Sequence, residues 1–166
     1  MDLTALSVFT LLLLLKHQAG LTHVVPVNCT EPDGATCDWY STCENVYGPR
    51  NCTGEENYAI NYGEKYCKKY DLTYHWFSAK GQAWIDKVRK CLQVALVPTL
   101  GAGLSCEEVK RIAFRSHPGC YADNGLCDLL FTDWLKILYT VRQAFGDEFI
   151  ETLTSALQSV ARCVRF

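Results

Sequence analysis

The chain has 166 residues, 49% of them hydrophobic and 20% charged, with ten cysteines. That balance belongs to a globular protein and excludes a disordered or low-complexity chain. Sixteen basic against eighteen acidic side chains leave a net charge of −2, which offers no electrostatic footprint for a phosphate backbone and no polybasic patch for anionic lipid. No nucleic-acid partner is expected.

The chain opens with an apolar stretch, Leu3 to Leu15, that ends in consecutive leucines and is broken by Lys16, His17 and Gln18. It is too short for a bilayer anchor and reads as a secretory signal peptide over residues 1–20, with cleavage after Gly20 or Thr22. No later window approaches the length of an apolar span, so no stable membrane insertion is expected and the protein is placed outside the cell. In that oxidising compartment the cysteines read as disulfides. The shortest intervals, five residues between Cys37 and Cys43 and six between Cys120 and Cys127, are wider than the pairs zinc favours. All ten, Cys29, Cys37, Cys43, Cys52, Cys67, Cys91, Cys106, Cys120, Cys127 and Cys163, are expected in bridges. Residues 21–36 form an N-terminal segment and 37–166 the folded domain. A mature chain of that size buries about two-thirds of its unfolded surface, so the bridges serve durability more than rescue of a small core.

Beyond the leader the signals are helical. Thr53-Gly54-Glu55-Glu56 has the form of a capping box and predicts a helix start. Tyr58, Tyr62, Tyr66, Tyr70 and Tyr74 then recur every four residues and sweep about 160° of one helix face, which makes a wide core face with hydroxyls at its rim or an aromatic face for a partner. From Ser78, Trp84, Val88, Cys91, Leu92 and Ala95 form the stripe of a main helix that Pro98 stops. Ser105-Cys106-Glu107-Glu108 is a second capping box, and its helix is expected to end before Pro118-Gly119. Asn124-Gly125 predicts a turn inside the Cys120 to Cys127 loop. Thr132 is expected to cap a helix whose inner stripe is Trp134, Leu135, Leu138, Val141 and Phe145. Asp147 is expected to cap a last helix with Phe149, Leu153, Ala156, Leu157, Val160 and Cys163 turned inward. The fold class expected is all-α, a single disulfide-stapled domain of about five to six helices.

The chain carries no recognisable catalytic constellation. G-x-S-x-G and H-E-x-x-H are absent, and so are the C-C-x-x-H-D motif and glycine-rich calcium loop that a secreted phospholipase A2 requires. His117, before Pro118, is expected to cap a helix C-terminus, and His75 to pack in a loop between Tyr74 and Trp76. Asp123-Asn124-Gly125 lacks the remaining ligands of an EF-hand. A non-enzyme with no catalytic residue, metal site or cofactor is expected. The dibasic pairs Lys68-Lys69, Arg89-Lys90 and Lys110-Arg111 lie in expected helices, where a processing protease finds no extended loop. Asn28 and Asn51 each head an Asn-Cys-Thr glycosylation sequon.

The spacing Cys37-x5-Cys43, then Cys67-x23-Cys91-x14-Cys106-x13-Cys120-x6-Cys127-x35-Cys163, with Gly81-Gln82-Ala83-Trp84 opening the main helix and Cys120-Tyr121 opening the short loop, resembles the stanniocalcin family over residues 37–163. The resemblance implies a secreted, helical, cystine-bonded glycoprotein hormone associated with calcium and phosphate balance; one branch of that family inhibits a secreted metalloproteinase. It also implies the bridges Cys43 with Cys106, Cys91 with Cys120, and Cys127 with Cys163. Two bridges among Cys29, Cys37, Cys52 and Cys67 complete the set, with Cys29 to Cys37 and Cys52 to Cys67 preferred. Tyr40 stands where the family carries its sequon asparagine, which moves a glycan to Asn28 or Asn51. The family's subunit-linking cysteine has no counterpart after Cys163, so no disulfide-linked dimer is expected. The function expected is a hormone-like regulator that binds an extracellular receptor or protease; the alternative is a saposin-like lipid-binding protein.

Overall fold

The two longest helices start where serine hydroxyls can satisfy orphan amides. The Ser78 side chain accepts from the Gly81 amide ahead of α3, Ala79–Leu96, and Ser105 forms a reciprocal capping box with Glu108 ahead of α4, Cys106–Asp123. The Ser105 hydrogen bonds hold the Glu108 carboxyl below the usual carboxylate range. The computed structural model describes residues 27–49, 52 and 56–164. The expected signal peptide at 1–20, Asn51 and the Thr53 cap lie outside the described residues.

In chain order the helices are α1, Trp39–Tyr47; α2, Lys65–Thr73; α3; α4; α5, Phe131–Val141; the short α6, Ala144–Asp147; and α7, Phe149–Val164. A π-helical stretch, Ala59–Glu64, runs directly into α2, and 3-10 turns follow α2, α3 and α4. No strand occurs among the described residues, so the protein is an all-α domain stapled by disulfides. Its helices bury two adjoining cores. One gathers Trp39, Tyr40, Cys43, Tyr58, Leu96, Val109, Ala113 and Phe114. The other gathers Phe77, Trp84, Ile85, Val88, Leu126 and Leu129.

The π-helical stretch decides how the tyrosines are used. A four-residue step drifts around an α-helix, and the wider i→i+5 turn opposes that drift. Tyr58 and Tyr62 therefore stack with ring centroids 5.4 Å apart, and Tyr62 and Tyr66 lie 4.6 Å apart. Gly63 belongs to the same turn, and a Cβ there would come within 2.7 Å of the Tyr40 ring. The tyrosine row is thus core, with Tyr58 and Tyr66 buried.

Several expectations are corrected. Helix α4 does not end before Pro118; it continues five residues further with Pro118 buried inside it. The proline lacks the amide that would bond the Phe114 carbonyl, and the Ser155 hydroxyl of α7 donates to that carbonyl instead, at 3.3 Å. His117 is consequently a buried mid-helix residue and not a C-terminal cap. Thr132 does not cap α5, whose N-cap is Leu130 without a side-chain bond. Asp147 closes α6 and does not start α7. The Asn124-Gly125 turn forms as expected, with Gly125 at φ 101° and the Asn124 amide donating to the Cys120 carbonyl at 2.8 Å.

All ten cysteines are bridged, and two of the implied pairings, Cys91–Cys120 and Cys127–Cys163, are present. The other three differ. Cys43 pairs with Cys29 instead of Cys106, Cys37 with Cys67 instead of Cys29, and Cys52 with Cys106 instead of Cys67. The reason is the course of residues 27–36, which fold back over α1. The Trp39 indole donates to the Asn28 carbonyl at 3.1 Å, and the buried Gln93 amide donates to the Thr36 carbonyl at 2.8 Å. This return brings Cys29 onto the inner side of α1, where Cys43 is fully buried, and stitches the N-terminal segment to the domain. Cleavage of the non-reduced protein and peptide mass spectrometry should recover Cys52 linked to Cys106, separated by 54 residues. Replacing both by serine should cost about 4 kcal/mol of unfolding free energy, from lost restriction of the unfolded chain.

Candidate functional site: an inverted pair of helices over an aromatic cleft

Helices α5 and α7 turn their polar sides inward. On α5 the buried residues are Asp133 and Thr140, seven apart; on α7 they are Thr152, Ser155 and Ser159. Each is bonded. Asp133 accepts from the Ser78 amide at 3.1 Å and from the Ser78 hydroxyl, and pairs with Lys136 at 3.1 Å. Burial alone would push its carboxyl up, but these bonds and Lys136 outweigh it and hold the group below the usual range. Thr140 meets Thr73 of α2 at 3.3 Å, and Tyr62 meets Thr152 at 3.3 Å. The Ser159 hydroxyl donates to the Ser155 carbonyl at 2.6 Å.

With the hydroxyl side inside, the hydrocarbon side faces out, opposite to the expectation from periodicity. Leu135 and Leu138 of α5 and Phe149, Leu153, Leu157 and Val160 of α7 were all expected inward, and all are exposed. Phe131, 76% exposed, lies on the same side of α5. On α7 the outward row Ile150, Leu153, Leu157, Val160, Val164 steps by three and four, the spacing of a coiled-coil seam. Leu157 at its centre is 62% exposed. Of the residues expected inside, Trp134, Val141, Phe145, Ala156 and Cys163 are half-buried.

Between the two helices lies a cleft of about 110 Å³, rimmed by Leu138, Phe145 and Val160 and floored by Tyr62, Trp84 and Tyr121. A smaller apolar cavity of about 50 Å³ adjoins it and shares His117, Tyr70 and Val141. His117, buried, lines both. Its Nε2 lies 2.8 Å from the Tyr58 hydroxyl, and its ring stacks on Tyr121 with centroids 5.4 Å apart. Burial pushes the imidazole down to about 4 and the Tyr58 and Tyr121 hydroxyls well above the ordinary tyrosine range. The cluster is therefore uncharged at neutral pH.

The resemblance residues find structural work. Gly81 lets the Asp133 carboxylate approach, since a Cβ there would sit 2.9 Å from Oδ2. Gln82 donates to the Tyr74 and Phe77 carbonyls, and the Trp84 indole to the Tyr121 carbonyl. Cys37, Cys67 and Asp71 are close enough to suggest a metal site, but both sulfurs are joined in a bridge and no thiolate is left to ligate. Asn28 is exposed, its side-chain Oδ1 accepting from the Thr30 amide at 3.0 Å. The three dibasic pairs all lie within helices, α2, α3 and α4. Among the described residues no helix is long and apolar enough to cross a membrane. No family model, curated protein or solved structure matches the chain.

Sequence reasoning passed over Asp133, Gln93 and the hydroxyl row of α7. The signal was available for the last: Thr152, Ser155 and Ser159 fall on one helical face. Asp133→Ala should lower stability by about 3 kcal/mol, because it removes the charged hydrogen bonds that a buried carboxylate makes to the Ser78 amide and hydroxyl; chemical denaturation measures this. His117 gives a second test. The unfolded chain binds a proton near pH 6.5 and the native one only near 4, so its contribution is whole above pH 6.5 and is lost as the pH falls toward 4, about 3 kcal/mol in all. His117→Gln should flatten that limb of the stability profile.

Proposed function

We propose that this protein is a secreted, hormone-like regulatory glycoprotein that acts by binding an extracellular receptor or protease, not by catalysing a reaction. The observation that carries this reading is the outward apolar face of α7. Contiguous exposed hydrocarbon on a soluble domain marks interaction sites, and a seam spaced by three and four residues is the form that an apposed helix reads. The scaffold beneath is fixed by five bridges, which persist in oxidising surroundings. A rigid surface loses little conformational entropy on binding.

The stanniocalcin resemblance adds a role in calcium or phosphate balance to this reading. Its support lies in the second half of the chain, where Cys91–Cys120 and Cys127–Cys163 pair as the resemblance implies; the pairings of Cys43 and Cys106 with other partners do not contribute. A glycan is assigned to Asn28, which is exposed.

A photoreactive residue placed at position 157 should crosslink a discrete extracellular protein, while one at Lys87, exposed on α3, should not. Leu157→Glu should weaken saturable binding to that protein at least tenfold and leave stability within about 0.5 kcal/mol, as for other surface changes. Equal labelling from both positions, or binding indifferent to Leu157→Glu, would remove the basis for the reading.

A further inference from the structure

We infer that a second copy of this chain covers the apolar face of α5 and α7, with α7 packed against α7 of that copy in antiparallel sense about a two-fold axis at Leu157. This rests on the reading of the α7 row as a binding surface and names what occupies the row before the extracellular partner does. Three features of the face select a second copy.

The first is extent. Phe149 stands beside the α7 row, and Phe131, Leu135 and Leu138 of α5 continue it across the rim that Leu138 and Val160 share. At about 100 Å² for each large side chain left half-exposed, the face offers on the order of 900 Å² per copy, and a stable complex buries ~800 Å² from each side. Soluble monomers rarely leave more than a few hundred Å² of contiguous hydrocarbon in water. The free chain therefore needs this face covered, and the protein at hand wherever it is released is another copy. The second is charge. No residue exposed on α5 between Phe131 and Leu138, or on α7 between Ile150 and Ala161, is charged. The nearest charged groups, Lys136 and Glu151, are half-buried and turned to Asp133 and to Lys110 of α4. Depletion of charge marks the core of homodimer interfaces, and a face without basic residues has no hold on an anionic membrane.

The third is symmetry. A two-fold interface requires one patch that complements itself, and the α7 row reads alike in both directions from Leu157. Seven residues to either side, Ile150 and Val164 are 73% and 78% exposed; at four and three residues, Leu153 and Val160 are recessed to 36% and 45%. A half-turn about Leu157 lays this relief over itself. Antiparallel packing then sets Leu157 against Leu157 and Ile150 against Val164 of the second copy. The row holds either that copy or the extracellular partner, so the single chain is the form open to the latter.

Sedimentation equilibrium of the purified protein, with no other protein present, should show a mass that rises from one copy to two with concentration. Leu157→Glu should weaken that association at least tenfold; if that variant does not fold, Ile150→Lys decides in its place. A bis-maleimide with a short spacer reads the geometry on chains carrying one added cysteine, since the ten native cysteines are bridged. Leu157→Cys should link to itself. Ile150→Cys should not, because antiparallel pairing holds its two copies about 21 Å apart along the helices, but it should link to Val164→Cys when the two are mixed. One mass at every concentration, association indifferent to the charged substitution, or Ile150→Cys linking to itself as readily as Leu157→Cys would each overturn the pairing. So would a single copy that instead binds phosphatidylcholine vesicles through Leu157. These measurements need no extracellular partner, so a failed search for one bears on the protein-binding reading and leaves the mass of the free protein as it is.

Discussion

The missing amide of Pro118 frees the Phe114 carbonyl in the middle of α4, and the Ser155 hydroxyl of α7 donates to it. A buried carbonyl without a partner costs free energy comparable to a lost hydrogen bond. That requirement sets which side of α7 faces the domain. Once Ser155 points inward, Thr152 and Ser159 follow it, being three and four residues away on the same face. The row Ile150, Leu153, Leu157, Val160 must then point out. Helix α5 is oriented by a comparable constraint, the Asp133 carboxylate that ties it to the start of α3. Both helices are thus aligned by polar bonds to backbone groups, the Phe114 carbonyl and the Ser78 amide, and their hydrocarbon is left for other purposes.

The bridges make this arrangement durable. Cys127–Cys163 holds the far end of α7 to the turn after α4, and Cys91–Cys120 ties α3 to the extended last turns of α4 beyond Pro118. Exposing a row of large apolar side chains is unfavourable, and a loosely held helix could rotate to bury them. A helix pinned at one end by a covalent link and along its length by hydroxyls cannot do so without breaking those contacts. The N-terminal half is secured by its own bridges, Cys29–Cys43 and Cys37–Cys67, together with the return of residues 27–36 over α1 and the Arg89 and Asp71 pair between α3 and α2. Around His117 the uncharged tyrosine cluster joins the two halves.

Much of the helical framework was legible. Serine caps at Ser78 and Ser105, the break near Pro98 and the Asn124-Gly125 turn depend on contacts among near neighbours in the chain, and the bridging of every cysteine follows from an even thiol count in an oxidising setting. Misplaced features depended on distant ones. Pro118 is a helix breaker by itself, and only a hydroxyl supplied from α7 makes it tolerable. Cys43 could not be assigned to Cys29 without knowing that residues 27–36 double back. The inner face of α7 was misjudged because apolar periodicity shows that a helix has two sides and says nothing about which side meets the domain.

By itself, then, the sequence determined an all-α class, where α3 and α4 begin and the full pairing of ten cysteines, because capping, turn chemistry and thiol count act over a few residues or over the whole composition. Tertiary structure alone decided which cysteines meet, which tyrosines are core and which way α5 and α7 face. Those outcomes turn on single polar groups, the buried Phe114 carbonyl and the half-buried Ser78 amide, whose partners lie 41 and 55 residues away along the chain.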